Sequence, residues 1–229
     1  MIKRLLVILA CAVGVNAQAQ KISATKATAI KDIEGRTSEL TTISDKIWAA
    51  EEIAFQETVS ADLLADYAEA NGFTVERGVA GIPTAFIATY GSGSPVIGIL
   101  GEFDALPGLS QNTVPYKSPL HDGKPGHGCG HNLFGTASLG AAIAVKDLMA
   151  QGKLKGTIKF FGTPAEEKFF GKIWMAKAGL FDDLDACLDW HPGAETKTAV
   201  QSGLALVDFT VEFFGQAAHA SGDPWNGRS

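Results

Sequence analysis

Short apolar runs that read as strands alternate with longer helical segments through the middle of this chain, and few folds accommodate that order. PVIGIL (95–100), TIKFFGT (157–163) and DACLDW (185–190) are the runs, and LFGTASLGAAIAVKDLMAQG (133–152) and KIWMAKAGLF (172–181) are spaced among them. Apolar runs without polar alternation suit strands covered on both faces, as crossover helices cover them in α/β proteins. The pattern predicts an α/β fold: a mixed, mainly parallel sheet flanked by helices. Upstream, residues 25–71 read as helical, with Ile43, Ile47, Ala50, Ile53 and Ala54 at three–four spacing and Ser60 capping ADLLADYAEAN. FTVERGV and TAFIATYG are short, β-branched and aromatic runs bounded by glycine. LALVDFTVEFFG (204–215) reads as a strand with no helix behind it, and so as the start of a smaller α+β domain. The expected organisation is 20–200 for the larger domain and 201–229 for the smaller one.

Chemistry-bearing residues collect just beyond these runs. Asp104 follows PVIGIL, Glu166 and Glu167 follow TIKFFGT, and His191 follows ACLDW. Cys129 and His131 lie in GHGCGHN, immediately before a helix that Asn132 is placed to cap. In open α/β sheets ligands bind at the carboxyl ends of strands, so one sheet edge is expected to gather all of them. A thiolate, imidazoles and carboxylates are what a zinc-class divalent cation accepts. Adjacent residues of an extended loop project in different directions, so Glu166 and Glu167 can divide the work, one holding metal and one moving a proton. His121 and His127 read as loop histidines, and Cys187, inside an apolar run, as a small buried hydrophobe. A closed structural zinc site is the weaker alternative, because adjacent carboxylates are unusual in one.

Net charge is −6, and no Lys/Arg stripe is present to neutralise phosphates, which argues against nucleic acid as a partner. The first nineteen residues read as a signal peptide: Lys3 and Arg4, an apolar stretch from Leu5 to Val15, then Ala17-Gln18-Ala19. That stretch is too short for a stable membrane span, so the mature protein is expected to be exported, periplasmic or secreted. Cys11 leaves a lipoprotein alternative open, and an oxidising compartment would permit a disulfide between Cys129 and Cys187.

GEFDALPG, GHGCGHN, PAEE, GKIWMAKAGLFDDLDACLDWHP and GQAAHAS together resemble the aminoacylase/hippuricase-type metallopeptidases, in their amidohydrolase branch. CGHN and FDDLDACLDWHP look most like the B-type aminobenzoyl-glutamate utilisation hydrolases, and the similarity runs from about Trp48 to the last residue. The resemblance implies a zinc-exopeptidase-like fold and two divalent metal ions, zinc or manganese, with cobalt also acceptable. It implies cleavage of the amide of aminobenzoyl-glutamate or a related N-acyl amino acid by metal-activated water. Cys129, His131, Glu167 and His191 would be metal ligands, Glu166 the general base, and Asp104 a catalytic-site residue supporting the metals. His219 would reach substrate from a lid domain that also makes a homodimer. Lys168-Phe169-Phe170 departs from the glycines usual after the glutamate pair. The family resumes its catalytic domain after the lid and draws a last histidine from it, so an N-terminal fragment is expected. The alternatives are a dipeptidase or carboxypeptidase of the same family, or a truncated, inactive metal-binding protein.

Overall fold

The computed structural model describes residues 22–198 and, beyond them, 205, 207, 209, 211, 212, 214–216, 218, 219 and 221–228. The expected signal peptide, 1–19, lies outside the described residues, as does much of 204–215; the residues described in that stretch carry no strand. The chain divides into two compact units, Met1–Pro192 and Gly193–Ser229.

The first unit is built on a five-stranded sheet: β1 (Thr74–Arg77), β2 (Phe86–Ser92), β3 (Val96–Gly101), β4 (Gly156–Gly162) and β5 (Ala186–Leu188), in the order β1-β2-β4-β3-β5. The sheet is mixed: β1-β2 and β2-β4 pair antiparallel, whereas β4-β3 and β3-β5 pair parallel. The helices are α1 (Ala24–Gly35), α2 (Thr37–Ala50), α3 (Thr58–Ala70), α4 (His131–Ala150) and α5 (Gly171–Lys177). Three parallel strands therefore deliver their carboxyl ends to one edge, and each is followed by acidic or imidazole groups.

Helix α4 is rich in Gly, Ala and Ser, which lets it press closely on the sheet. A Cβ at Gly135 would stand 2.6 Å from the carbonyl oxygen of Glu102, just past β3. Among the described helices α4 alone is long and apolar enough to cross a membrane, but 56% of that window is buried inside the fold, as in a core helix. Phe86, Phe103, Phe160, Leu64, Leu139 and Ile143 fill the space between helices and sheet. Hydrophobic burial on this scale is the main force holding the layers together.

Several local expectations change. The apolar spacing of α2 runs on through Ile53 and Ala54, yet the helix stops at Ala50, where Glu51 turns left-handed at φ 51°. Residues 51–57 form a loop instead. Ile53 bridges to Ala105, and the Ala105 N–H donates to the Glu52 carbonyl at 2.8 Å. Ser60 lies inside α3; the Glu52 carboxylate caps that helix, accepting from the Val59 and Ser60 N–H groups at 2.9 Å each. Asn132 likewise sits within α4, where its amide donates to Ser44 Oγ on α2. Cys187 is exposed, because β5 is an edge strand whose three residues all face solvent.

In the second unit, Gln216 and Arg228 form an antiparallel bridge around a single 3-10 turn at Pro224–Asn226.

Candidate metal centre

His131 is the hub. It opens α4 after Gly130, which takes φ 76° and leaves 3.2 Å to Pro192 for any added Cβ, so glycine is the residue that fits. The imidazole is fully buried. Its Nδ1 faces Asp104 Oδ1 at 2.9 Å and the Asp104 carbonyl at 3.1 Å. Two acceptors there fix the proton on Nδ1 and leave the Nε2 lone pair free, the arrangement that orients metal-ligating histidines. Asp104 does a second job: its Oδ2 accepts from the Glu167 N–H at 2.9 Å.

Three carboxylates stand around Nε2. Glu102 Oε2 is 2.9 Å away, Glu167 Oε1 3.8 Å and Glu166 Oε2 4.0 Å. His131 Nε2, Glu102 Oε2 and Glu167 Oε1 are all buried and all unpartnered, the Glu102 contact being misaligned for a hydrogen bond. The other Glu102 oxygen is held by Lys172. Two ligands about 2.1 Å from one ion stand roughly 3 Å apart, so a close but misdirected N···O pair is what a shared cation leaves. The donor set fits a divalent cation on these grounds.

Two groups of three can bring one ligand atom each within 4.8 Å of one another: Cys129, His131 and His191, and Glu102, His131 and Glu166. The His131 and His191 rings meet edge to face with centroids 5.5 Å apart, and Phe134 packs against both. His191 Nδ1 lies 2.9 Å from the Pro192 carbonyl. Burial and crowded negative charge together shift several of these groups. Burial, then the charge of Glu167, raises the Glu166 carboxyl. The Cys129 thiol is pushed up to about 12 by burial, a bond to Glu167 and the surrounding carboxylates. Burial would lower the His131 imidazole, but the bond and charge of Asp104 outweigh it and raise it. A cation would relieve all of these.

The structure thus brings Asp104, Glu166, Glu167 and His191, just past β3, β4 and β5, together with Cys129 and His131 at the start of α4. His219 belongs to the second unit, where it is exposed and its Nδ1 accepts from the Gly222 N–H at 2.9 Å. His121 pairs with Glu51, and His127 Nε2 faces the Ile47 carbonyl, so both serve the loop. Glu102 was not among the residues the sequence singles out, although it stands in the acidic turn GEFDALPG.

A buried histidine held by one carboxylate, with three more carboxylates, a thiol and a second imidazole around it, is a donor set of the kind metallohydrolases use. The family model for peptidase family M20/M25/M40 matches residues 98–225, and the chain belongs to that family. It is 48% identical over 198 residues to one of the subunits of the p-aminobenzoyl-glutamate hydrolase of Escherichia coli, covering 86% of this chain and 41% of that protein. It is 32% identical to the Xaa-Arg dipeptidase of Mus musculus, covering 93% of this chain and 48% of that protein. Among solved structures, the YxeP protein of Bacillus subtilis, described as a dinuclear metal-binding peptidase of the M20 family, superposes with a TM-score of 0.58. That match has 27% identity and covers 67% of this chain and 42% of that one. The chain therefore spans less than half the length of these two curated relatives.

Proposed function

We propose that this chain carries the catalytic centre of a metal-dependent amidohydrolase that cleaves aminobenzoyl-glutamate or a related N-acyl amino acid. The observation that carries the reading is that His131 Nε2, buried and unpartnered, has the equally unpartnered Glu102 Oε2 and Glu167 Oε1 within 3.8 Å of it. Cys129, His131, Glu167 and His191 are the proposed holders of two divalent ions, zinc, manganese or cobalt, with Glu102 completing the set through its free oxygen. A divalent cation there lowers the pKa of water and polarises an amide carbonyl. Glu166, half-exposed beside this cluster, is the proposed general base: it takes the proton of the attacking water and returns it to the leaving amine. Asp104 keeps His131 in the right tautomer and holds the Glu167 backbone. Likeness to the E. coli hydrolase supports the substrate. The same reading assigns His219 to substrate contact from a dimer-forming lid and export with cleavage after Ala19.

The test is release of p-aminobenzoate from p-aminobenzoyl-glutamate by metal-loaded and chelator-treated protein. Metal-dependent release supports the reading. Cleavage of Xaa-Arg dipeptides alone would move the substrate to the dipeptidase class, and metal binding without either turnover would reduce the chain to a binding protein. A Glu166→Gln variant that kept full turnover would refute the base assignment.

A further inference from the structure

Glu57 is a carboxylate buried completely in the first unit, and no catalytic step proposed for the centre uses it. It stands at the start of α3, where a glutamate would ordinarily point to water, and it makes no capping bond. Its side chain turns inward instead. Oε1 accepts from the Ala165 N–H at 2.8 Å and Oε2 from Thr84 Oγ1 at 3.1 Å. Ala165 immediately precedes Glu166 and Glu167. Two residues before Glu57, Phe55 stacks on Phe169, two residues after the glutamate pair, with centroids 5.3 Å apart and planes 14° off parallel. The segment 55–57 thus grips the turn on both sides of Glu166-Glu167.

That turn needs gripping. Ala165, Phe169 and Phe170 sit at φ 60°, 73° and 55°, and Phe55 itself at 62°. Left-handed backbone is unfavourable for residues with a Cβ, and such conformations persist only where surroundings over-determine them. We propose that Glu57 is a positioning residue: with Phe55 it clamps the strained 165–170 turn so that Glu166 and Glu167 stay aimed at His131. The importance of that aim rests on the roles proposed for the two glutamates, whereas the clamp itself does not.

The test pairs Glu57→Leu, Glu57→Gln and Phe55→Leu, reading amide hydrogen exchange across 163–171 and the affinity of the metal-stripped protein for Mn²⁺ by calorimetry. In Glu57→Leu the buried Ala165 N–H loses its acceptor, so exchange in the turn should speed about tenfold or more while α4 and β4 stay protected. Mn²⁺ affinity should fall about 10–100-fold, as for loss of an outer-shell support. Glu57→Gln should rescue both, because its amide oxygen still serves Ala165 and its amino group can donate to Thr84 Oγ1. Phe55→Leu, at an exposed position, should loosen 168–170 even if Glu57→Leu fails to fold. Turn exchange at the wild-type rate in Phe55→Leu, or a Glu57→Gln variant as loose as Glu57→Leu, overturns the clamp. A wild-type protein that binds no Mn²⁺ sinks the proposed function, while the exchange data still judge the clamp.

Discussion

Asp104→Asn isolates how the centre is held together, because both oxygens of one buried carboxylate are committed. Oδ1 meets His131 Nδ1 and Oδ2 meets the Glu167 N–H, each at 2.9 Å. Asparagine keeps the shape but has one acceptor. If its amino group faces His131, only the residue 104 carbonyl is left to hold the proton on Nδ1, and the tautomer with Nε2 protonated, which has no lone pair there for a cation, gains population. If the amino group faces Glu167, two donors confront each other and the turn carrying the glutamates shifts. Either way one charge-assisted bond is lost, about 1.5–3 kcal/mol. That corresponds to cation affinity roughly 10–100-fold weaker, the range seen when partners of metal-bound histidines are removed. Calorimetric titration of Zn²⁺ or Mn²⁺ into chelator-treated protein measures it, and ¹⁵N spectra of the His131 ring report the tautomer. An Asp104→Asn protein that binds within about twofold of wild type, with the proton still on Nδ1, would refute the argument.

Other consequences concern stability. Burial, with the charge of Asp104 adding to it, lifts the Glu57 carboxyl from 4.5 to about 7. A folded-state pKa above the unfolded one gives stability that is full below pH 4.5 and is lost as pH rises through 7. Metal-stripped protein should therefore lose on the order of 3 kcal/mol between pH 4.5 and 8, and Glu57→Gln should flatten that slope in thermal melts; a flat wild-type curve contradicts it. Phe160→Ala empties a fully buried position packed on Phe86 and should cost about 3–5 kcal/mol in urea unfolding. Arg36 joins Asp32, Asn71 and Asp147, tying α1 to the end of α3 and to α4. Arg36→Met should cost about 1–3 kcal/mol by the same measurement, and no loss would mean the network is solvated away.

The alternation of apolar runs and helical segments was legible because it is local, set by period and length, although 25–71 reads as two helical segments where three helices form. What local pattern does not carry is a strand's neighbours. DACLDW reads as buried, yet among the described residues β5 pairs with β3 alone, and Cys187 and Leu188 are exposed. The same holds for direction: a mixed, mainly parallel sheet is expected, but which pairs run antiparallel is not, and β1-β2 and β2-β4 do.

The site divides along a similar line. Cys129, His131, Glu166, Glu167 and His191 could be read because strand ends and a glycine loop mark them in sequence. Glu102 could have been, since it shares the acidic turn GEFDALPG with Asp104. Glu57 could not. The three–four spacing of Ile47, Ala50, Ile53 and Ala54 continues a helix through 51–57, and only the left-handed Glu51 and Phe55 show that the chain leaves it. Spacing sees which side chains share a face; it does not see a backbone that turns away to meet another loop more than a hundred residues later. The Ala165 N–H is such a distant partner, and it makes Glu57, which no motif marks, a buried support. Residues that hold a centre in place are therefore harder to read than residues that would touch a metal, because their chemistry is ordinary and only their contacts are not.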